Sequence, residues 1–565
     1  MVPVTARRRR RRILSSVVVI AVMTALFTLT RHERVDVVFV NGAVRTLDST
    51  NSTFEAFAVA GGRIVALGTR DEIQSRYDAD SSVDLQGRTV IPGFVDAHGR
   101  LLNAGMLSLT VDVSGAGSAR AAARMVESHA RSIPAGTWIR GRGWVNAWWD
   151  DARETPRALL DGATSKHPVV LVGEHGAALW MNSRALAASG FGLARTEHEP
   201  PSVVRDRRGE ALGIVLDEAA EVVLNSLPAP TDWELNAALD SAARDALRAG
   251  ITTVHDFGLS AREIALYEQR AAQGNLPVRV YAVIGASGQT WEAYRSRGPL
   301  LGAGGGMLTA RAIELYVDGA LESRSAALLE PYSDDASTRG VTFADERELV
   351  LAVRSALEKG FQVCMNATGD RAVHIALNVY SEARRGLTVA PRMFRLERVQ
   401  LIESRDLERA DSLGVTISMQ PAHYVVDFGI AAMRLGPERM ARFMAWDEVL
   451  AYGLNVAGGT DMPLAPADPF FGISLVATRK SPSRDARAGP DSLKALLEGL
   501  RMFTSWSARA GLEQELKGSL EPGKLADFLV LSDDPFRVGA AGLAQIRVLA
   551  TFIGGRTLAT EVLGQ

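Results

Sequence analysis

Short apolar runs that end in polar residues recur through most of the chain. The first covers residues 91–95 and is followed by Asp96 and His98. Runs of the same kind cover residues 250–258, 278–283, 313–319, 361–370, 394–400, 415–420 and 454–461. Because segments of helical length separate most of them, the pattern predicts parallel βα units that close into a (β/α)8 barrel of the TIM type. The polar residues at the carboxyl ends of such strands are the candidates for chemistry.

The two ends of the chain carry a different pattern, in which short alternating strands are separated by tight turns. Turns of this kind are expected at Asn41-Gly42, at Gly61-Gly62 and at Gly554-Gly555. They predict a small β-sandwich built from both chain ends. We therefore expect an α/β protein whose parts, in residue numbers, are a sandwich at 35–90 and 511–565, a barrel at 91–510 and a segment inserted into the barrel at about 119–240.

An uncharged, mainly apolar run at residues 13–30 follows six consecutive arginines at residues 7–12. A helix of this length spans about 27 Å, close to the hydrocarbon core of a bilayer. Positive charge is concentrated before the run, which predicts a signal anchor at residues 1–34 with the bulk of the chain in the periplasm or outside the cell. A cleaved signal peptide is the alternative, although no small-x-small cleavage pattern is visible near residues 27–32.

Net charge and cysteine content indicate which classes of partner and metal site to expect. The net charge of -2 and the 23% of charged residues describe an ordinary globular surface, which gives no indication of a nucleic acid partner. Cys364 is the only cysteine, so the chain can form neither an intramolecular disulfide nor a zinc site of several cysteines. A small-molecule substrate or ligand is the expected partner, and assembly into a homo-oligomer is compatible with this composition.

Several ordered phrases carry a resemblance to a known family. They are Pro-Gly-Phe-Val-Asp-Ala-His at 92–98, Asp-Gly-Ala-Leu-Glu-Ser-Arg at 318–324, Gly-Asp-Arg-Ala-Val at 369–373, Thr-Asp-Met-Pro at 460–463 and Gly-Ser-Leu-Glu-Pro-Gly-Lys-Leu-Ala-Asp at 518–527. Over about residues 35–556 the chain resembles the amidohydrolase superfamily, in particular its amidohydrolase-3 branch. The resemblance implies a barrel inserted into a sandwich, a capping role for the inserted segment, and hydrolysis of non-peptide C–N bonds in amides or cyclic amides with zinc or another divalent metal.

The resemblance also implies six metal-ligand positions, which fall on His98, Arg100, Glu314, Asn366, Arg398 and Asp461. In active members these positions hold two histidines of the first strand, a lysine or other bridging residue, two later histidines and an aspartate. Four of the six positions therefore differ in this chain. Asparagine is a poor ligand for a transition metal, and a protonated guanidinium has no lone pair to offer.

Two hypotheses account for these differences. In the first, His98, Glu314 and Asp461 still hold one metal ion, helped by His255 or His175. The resemblance then assigns Asp461 the role of general base toward the metal-bound water, and the protein is a metal-dependent hydrolase.

In the second hypothesis no metal is bound, because Arg100 and Arg398 supply the positive charge and pair with Asp461 and Glu314. The protein is then a catalytically inactive pseudoenzyme or a binding protein for a small anion. Contacts with a substrate or ligand are expected from five residues, which are His175, His255, His423, Arg100 and Arg398.

Overall fold

The computed structural model describes residues 33–145, 155–173, 178–192, 202–286, 288–478 and 491–560. The chain separates into two compact units, the inserted unit Leu101–Ala243 and the barrel unit formed by all residues before and after it. Almost all of the predicted signal anchor lies outside the described residues. Within the residues that are described, no helix combines the length and the apolar character needed to cross a membrane.

The centre of the barrel unit is a sheet of eight parallel strands, in which each strand pairs with its neighbour in the chain. The strands are β1 (Phe94–Gly99), β2 (Ile251–Leu259), β3 (Arg279–Gly285), β4 (Leu308–Tyr316), β5 (Gln362–Asn366), β6 (Phe394–Glu397), β7 (Thr416–Met419) and β8 (Val456–Gly458). The predicted TIM-like barrel is therefore confirmed. A short strand, Leu300–Gly302, adds to β4 in antiparallel orientation.

The barrel is nearly closed, and backbone and side-chain hydrogen bonds connect the ends of β8 and β1, the two edge strands of the sheet. Asp461 N donates to His98 O at 2.8 Å, and Arg100 N donates to Met462 O at 2.9 Å. The Asp96 carboxylate accepts from the backbone N and the hydroxyl of Thr460 at 3.0 and 2.5 Å. The loop after β8 therefore lies against the end of β1, and the polar residues of both strands share one end of the barrel.

Strands β1, β5, β6, β7 and β8 are buried along their whole length, as expected of parallel strands covered on both faces. Amphipathic helices cover the outside, and several begin with a side-chain cap, such as the capping box of Ser260 and Glu263. After β2 the helices of this unit are Ala261–Ala272, Gly288–Arg297, Ala303–Gly306, Glu346–Glu358, Asp370–Ala383, Ser404–Leu413, His423–Val426, Phe428–Met440, Trp446–Ala451, Pro469–Thr478, Asp491–Met502 and Ser505–Ala510.

The barrel unit contains two further sheets, one built from the N-terminal part alone and one built from both chain ends. In strand order these are Arg63–Gly68, Ala56–Ala60, Glu33–Val40 and Tyr77–Asp84 in one sheet, and Arg556–Thr560, Val548–Ile553, Phe528–Leu531, Thr89–Pro92, Ala43–Arg45 and Thr53–Phe54 in the other. Phe39 and Phe57 of the first sheet pack against Phe528 and Phe552 of the second. Short helices Arg70–Arg76, Pro535–Gly542 and Leu543–Gln545 complete this part.

The boundary between sandwich and barrel differs slightly from the predicted one at residue 91. Thr89–Pro92 pairs with Phe528–Leu531, with Ile91 opposite Leu529, so this stretch belongs to the sandwich and the barrel begins at Phe94. Gly93 separates the two strands where the chain passes Thr252, and a Cβ there would lie 2.4 Å from the Thr252 side chain. The apolar run at 91–95 is thus divided between two sheets at the glycine.

The inserted unit follows β1 directly and is larger than the predicted segment at about 119–240. It contains a mixed sheet in the order Val203–Arg205, Ala211–Leu216, Ala178–Met181, Val169–Gly173, Ile139–Trp144 and Val111–Asp112. Its helices are Leu101–Ser108, Ala119–Ala130, Pro156–Ala163, Ser183–Ala188 and Asp217–Ser226, and Asp232–Arg248 continues into the barrel unit. The capping role expected of this unit stays a prediction.

Candidate functional site

His98 lies at the end of β1 and is fully buried. Its Nδ1 donates to Glu397 Oε2 at 2.9 Å, and its ring stacks on Phe257 at a centroid distance of 4.0 Å. The second oxygen of Glu397 pairs with Arg395 Nε at 2.7 Å. Burial alone would raise the pKa of Glu397, but the charge of Arg395 and the hydrogen bond from His98 hold it below its usual value. Glu397 therefore fixes the orientation of the His98 ring.

Asp461 follows β8, and its carboxylate is fully buried. Its Oδ2 lies 3.2 Å from Arg398 Nε and 3.1 Å from His423 Nε2. Burial would raise the pKa of Asp461, but the hydrogen bond from His423 and the charges of His98 and Arg398 lower it to about 2. Asp461 is thus an ionised carboxylate held between two cationic side chains.

Glu314, near the end of β4, is a further buried carboxylate at this end of the barrel. Its Oε1 accepts from Arg100 Nη2 at 3.0 Å and from Asn366 Nδ2 at 2.8 Å. Arg100 Nη2 also donates to the Tyr316 hydroxyl at 2.6 Å. Side chains at two of the six positions that the resemblance assigns to metal ligands therefore bind the carboxylate at a third, and Arg100 forms the ion pair predicted for it.

His423 begins a short helix after β7 and connects two carboxylates. Its Nδ1 lies 2.9 Å from Asp427 Oδ2, in addition to the contact of its Nε2 with Asp461. Because ionised carboxylates only accept hydrogen bonds, both ring nitrogens carry a proton. Burial would lower the pKa of His423, but the hydrogen bonds to Asp427 and Asp461 raise it to about 9. The imidazolium is therefore the form present at neutral pH.

His255 is not placed as the sequence predicted. Strand β2 continues to Leu259, so His255 lies in the middle of the strand and not at its tip. Its Nδ1 accepts from Arg395 Nη1 at 3.0 Å, and its ring packs against Tyr281. Burial and the charge of Arg395 lower the pKa of His255 well below its usual value. His255 therefore belongs to the barrel interior, while His175 lies outside the described residues.

Four contributors to the site were not identified as site residues from the sequence, and each stands near one that was. Arg395 and Glu397 are two residues apart in β6, as Glu314 and Tyr316 are in β4. Residues two apart in a strand face the same side of the sheet. Asp427 is four residues after His423, one helical turn away. These spacings are the sequence signals that could have identified the four residues.

Comparison with known proteins gives the family. The sequence model described as "Amidohydrolase family" matches residues 82–559. The chain belongs to the amidohydrolase family. It is 30% identical over 528 residues to YtcJ of Bacillus subtilis, named as an amidohydrolase, which covers 91% of this chain and 98% of YtcJ. It is 29% identical over 537 residues to an N-substituted formamide deformylase of Arthrobacter pascens, covering 92% and 97% of the two chains.

Solved structures agree with this assignment. An uncharacterized metal-dependent hydrolase from Pyrococcus furiosus superposes with a TM-score of 0.73 at 25% identity, covering 88% of this chain and 99% of the hydrolase. A metal-dependent hydrolase from Pyrococcus horikoshii OT3 gives 0.71 at 23% identity and supports the fold. The amidohydrolase fold therefore extends over most of the chain.

The side chains at the six family positions do not fit the divalent metal that these relatives imply. Asp461 and Glu314 are each bound by a guanidinium from another of the six positions. His98 Nε2 and Asp461 Oδ1 have no hydrogen-bond partner among the described residues, but they face each other as a pair, 3.8 Å apart. In the described part of the chain, no group of three histidine, cysteine or carboxylate side chains could hold a metal ion.

Proposed function

We propose that this amidohydrolase-family protein binds a small molecule through an anionic group at the carboxyl end of its barrel without a divalent metal, as a pseudoenzyme. The observation that carries the proposal is the ion pair between Arg398 and Asp461. The resemblance assigns Asp461 the role of general base, and a base must be free to accept a proton. A carboxylate with a pKa of about 2 that is bound by Arg398 and His423 is a poor base at neutral pH.

Electrostatics supports the same proposal. A divalent ion about 4 Å from one guanidinium would be repelled by roughly 8 kcal/mol at an effective dielectric constant near 20. Arg100 and Arg398 both stand at family ligand positions and both approach the buried carboxylates. The two guanidinium groups thus neutralise Glu314 and Asp461, as a metal ion does in the resembled branch.

Part of this positive charge is available to a ligand. The side chain of Arg398 is 25% exposed and that of Arg100 is 20% exposed. Arg398 approaches Asp461 through Nε, and its Nη1 and Nη2 form no hydrogen bond with the residues that the structure describes. A guanidinium with free Nη atoms binds carboxylate and other oxyanions through parallel hydrogen bonds. An anionic group of the ligand is therefore expected at Arg398.

The metal content of protein purified from cells grown with zinc tests the proposal. We expect far less than one zinc per chain, and a melting temperature that changes neither with a chelator nor with added zinc. One zinc per chain, lost on substitution His98→Ala or Asp461→Asn, would refute the proposal. The variant Asp411→Asn is a matched control, because Asp411 is an exposed carboxylate on the helix Ser404–Leu413.

A second candidate function is hydrolysis of a non-peptide C–N bond in an amide or cyclic amide. Family membership favours it, as does the similarity to an N-substituted formamide deformylase. It would require His98, Glu314 and Asp461 to act with a metal despite their ion pairs. Release of formate or amine from N-substituted formamides, dependent on zinc and abolished by Asp461→Asn, would establish this function, and we expect no release.

A further inference from the structure

Two oppositely charged side chains at the end of the barrel each keep polar atoms without a partner among the residues that the structure describes. On Arg398 these are Nη1 and Nη2. On Asp427 the free atom is Oδ1, because His423 Nδ1 and Gln400 Nε2 both bind Oδ2, at 2.9 and 2.8 Å. The side chain of Asp427 is 29% exposed and forms no further hydrogen bond in the described part of the chain, and the charge of Arg398 acts on it through space. One cationic donor and one anionic acceptor are therefore open to a ligand.

A continuous series of contacts connects these two open groups. Arg398 Nε lies 3.2 Å from Asp461 Oδ2, which lies 3.1 Å from His423 Nε2. The other nitrogen of His423 lies 2.9 Å from Asp427. Only Arg398 and Asp427 are substantially exposed, since the side chains of Asp461 and His423 are 0% and 6% exposed. Buried contacts therefore hold the two open groups at a defined separation.

The ion pairs at this end of the barrel are balanced in charge, and this balance favours a ligand with no net charge. We define the ion-pair network as the pairs Arg100–Glu314, Arg395–Glu397, Arg398–Asp461 and His423–Asp427, which together contain four cations and four carboxylates. A ligand with a single charge would leave that charge uncompensated in a partly buried site, and this costs free energy. A ligand with one positive and one negative group adds no net charge.

We propose that the ligand is a zwitterion of the amino acid class, with its carboxylate on Arg398 Nη1 and Nη2 and its ammonium group on Asp427 Oδ1. This inference rests on the proposed function, because both groups belong to the metal-free ion-pair network. The ligand then forms charge-assisted hydrogen bonds through its carboxylate and its ammonium group at the same time. It should therefore bind more tightly than a ligand that carries only one of the two groups.

The first test compares ligands on the unmodified full-length protein by isothermal titration calorimetry. The probes are glycine, 3-aminopropionate, 4-aminobutyrate and 5-aminopentanoate, which differ in the distance between the two charges. Each is compared with the carboxylate and the amine of the same chain length. We expect at least one amino acid to bind more than about tenfold more tightly than both of its matched halves. Equal affinity for amino acids and simple carboxylates would overturn the inference, and so would the absence of binding.

The second test uses variants that remove one open group at a time. Asp427→Asn should reduce the affinity for the best amino acid about tenfold, to that of its matched carboxylate, and leave the affinity for the carboxylate unchanged. Arg398→Gln should abolish binding of both. The control Arg354→Met removes an arginine of a surface ion pair and should change neither affinity. Unchanged selectivity in Asp427→Asn would overturn the inference even if Arg398→Gln fails to fold.

Metal analysis of the same preparations separates the two proposals. If the protein is metal-free and amino acids bind no better than carboxylates, the zwitterion inference fails and the metal-independent function stands. If stoichiometric zinc is present, the proposed function fails, and the zwitterion inference fails with it because it rests on the metal-free network.

Discussion

Arg398 and Asp461 share an uncommon backbone conformation, with φ of 58° and 57°. Residues other than glycine rarely adopt this left-handed backbone conformation, which costs about 1 to 3 kcal/mol at each residue. Such residues persist where the surrounding contacts determine their conformation, and they cluster at functional sites. In this site the ion pair joins Arg398 and Asp461 directly, so each supplies a contact that helps to determine the conformation of the other.

This pair gives a first prediction. Arg398→Met should lower the free energy of unfolding by about 3 kcal/mol, because Asp461 keeps His423 as a partner but loses the guanidinium beside a fully buried charge. The additional change Asp461→Asn should restore part of the loss, since no uncompensated carboxylate remains. Chemical denaturation of the two single variants and the double variant measures the coupling.

The control for this cycle is the surface pair of Arg354 and Glu358, whose side chains are 39% and 49% exposed. Its coupling should be below about 0.5 kcal/mol, because solvent screens exposed charges. Additive effects of Arg398→Met and Asp461→Asn would contradict the idea that the arginine compensates the buried carboxylate.

His423 gives a second prediction, which concerns pH. Its pKa is raised to about 9 in the folded protein, so the folded state binds more protons than the unfolded chain between pH 6.5 and 9. The stability that this contributes, about 3 kcal/mol, is fully present below pH 6.5 and is lost as the pH rises through 9. Urea denaturation from pH 6 to 10 should show this decline in the unmodified protein. In His423→Gln the decline should be absent, and an equal decline there would contradict the assignment.

At the scale of elements, closure of the barrel depends on a close approach between the end of β8 and the end of β1. A Cβ on Gly459 would lie 2.7 Å from the backbone N and 2.8 Å from the backbone O of His98. Gly459→Ala should therefore lower the free energy of unfolding by about 2 to 3 kcal/mol, because backbone on both sides must shift.

Gly429 is a control for Gly459→Ala, since it lies in the helix Phe428–Met440 and a Cβ there has no neighbour within 4 Å. Gly429→Ala should be neutral or stabilise the protein by up to about 1 kcal/mol, because alanine favours the helix. Thermal and urea denaturation measure both variants. Equal stability of Gly459→Ala and the parent would show that β1 and β8 are not held this closely.

At the scale of the whole molecule, the amidohydrolase fold is present although the resemblance predicts that four metal-ligand positions differ. His98 and Asp461 still meet at the end of the barrel, 3.8 Å apart. We therefore expect the triple variant Arg100→His, Asn366→His and Arg398→His to bind about one zinc per chain, because it removes two cations and adds three imidazoles. Metal analysis after dialysis measures this, with the triple alanine variant as control. Zinc in neither variant would mean that the arrangement of these positions has itself changed.

The N-terminal segment concerns the localisation of the protein. We propose that residues 1–34 anchor the chain, with residues from 35 onward outside the cytoplasm, because six arginines precede an uncharged run. Protease added to intact spheroplasts should cut the chain after residue 34, and the chain should remain with the membrane fraction after an alkaline wash. A chain that is protected from the protease would contradict this orientation, and a soluble product beginning near Arg31 would indicate cleavage.

The sequence by itself indicated the architecture and, through the resemblance, different residues at the family's metal-ligand positions. Apolar runs of strand length that are separated by segments of helical length indicate the barrel, because the spacing of apolar residues is set by residue order along the chain. The turns at Asn41-Gly42 and Gly554-Gly555 likewise predicted sandwich strands at both ends. The prediction that Arg100, Asn366 and Arg398 stand at histidine positions of the family likewise comes from the phrases around them.

Only the tertiary structure decided which charges meet. His255 was expected at a strand tip, but β2 runs on to Leu259, and pairing with neighbouring strands sets that length. The contacts of Glu397 with His98 and of His423 with Asp461 join residues 299 and 38 positions apart. No local pattern encodes such pairs, because they depend on barrel closure and on the register of strands that are distant in sequence. The physical reason is that electrostatic interactions act through space, whereas the periodicity that predicts strands acts along the chain.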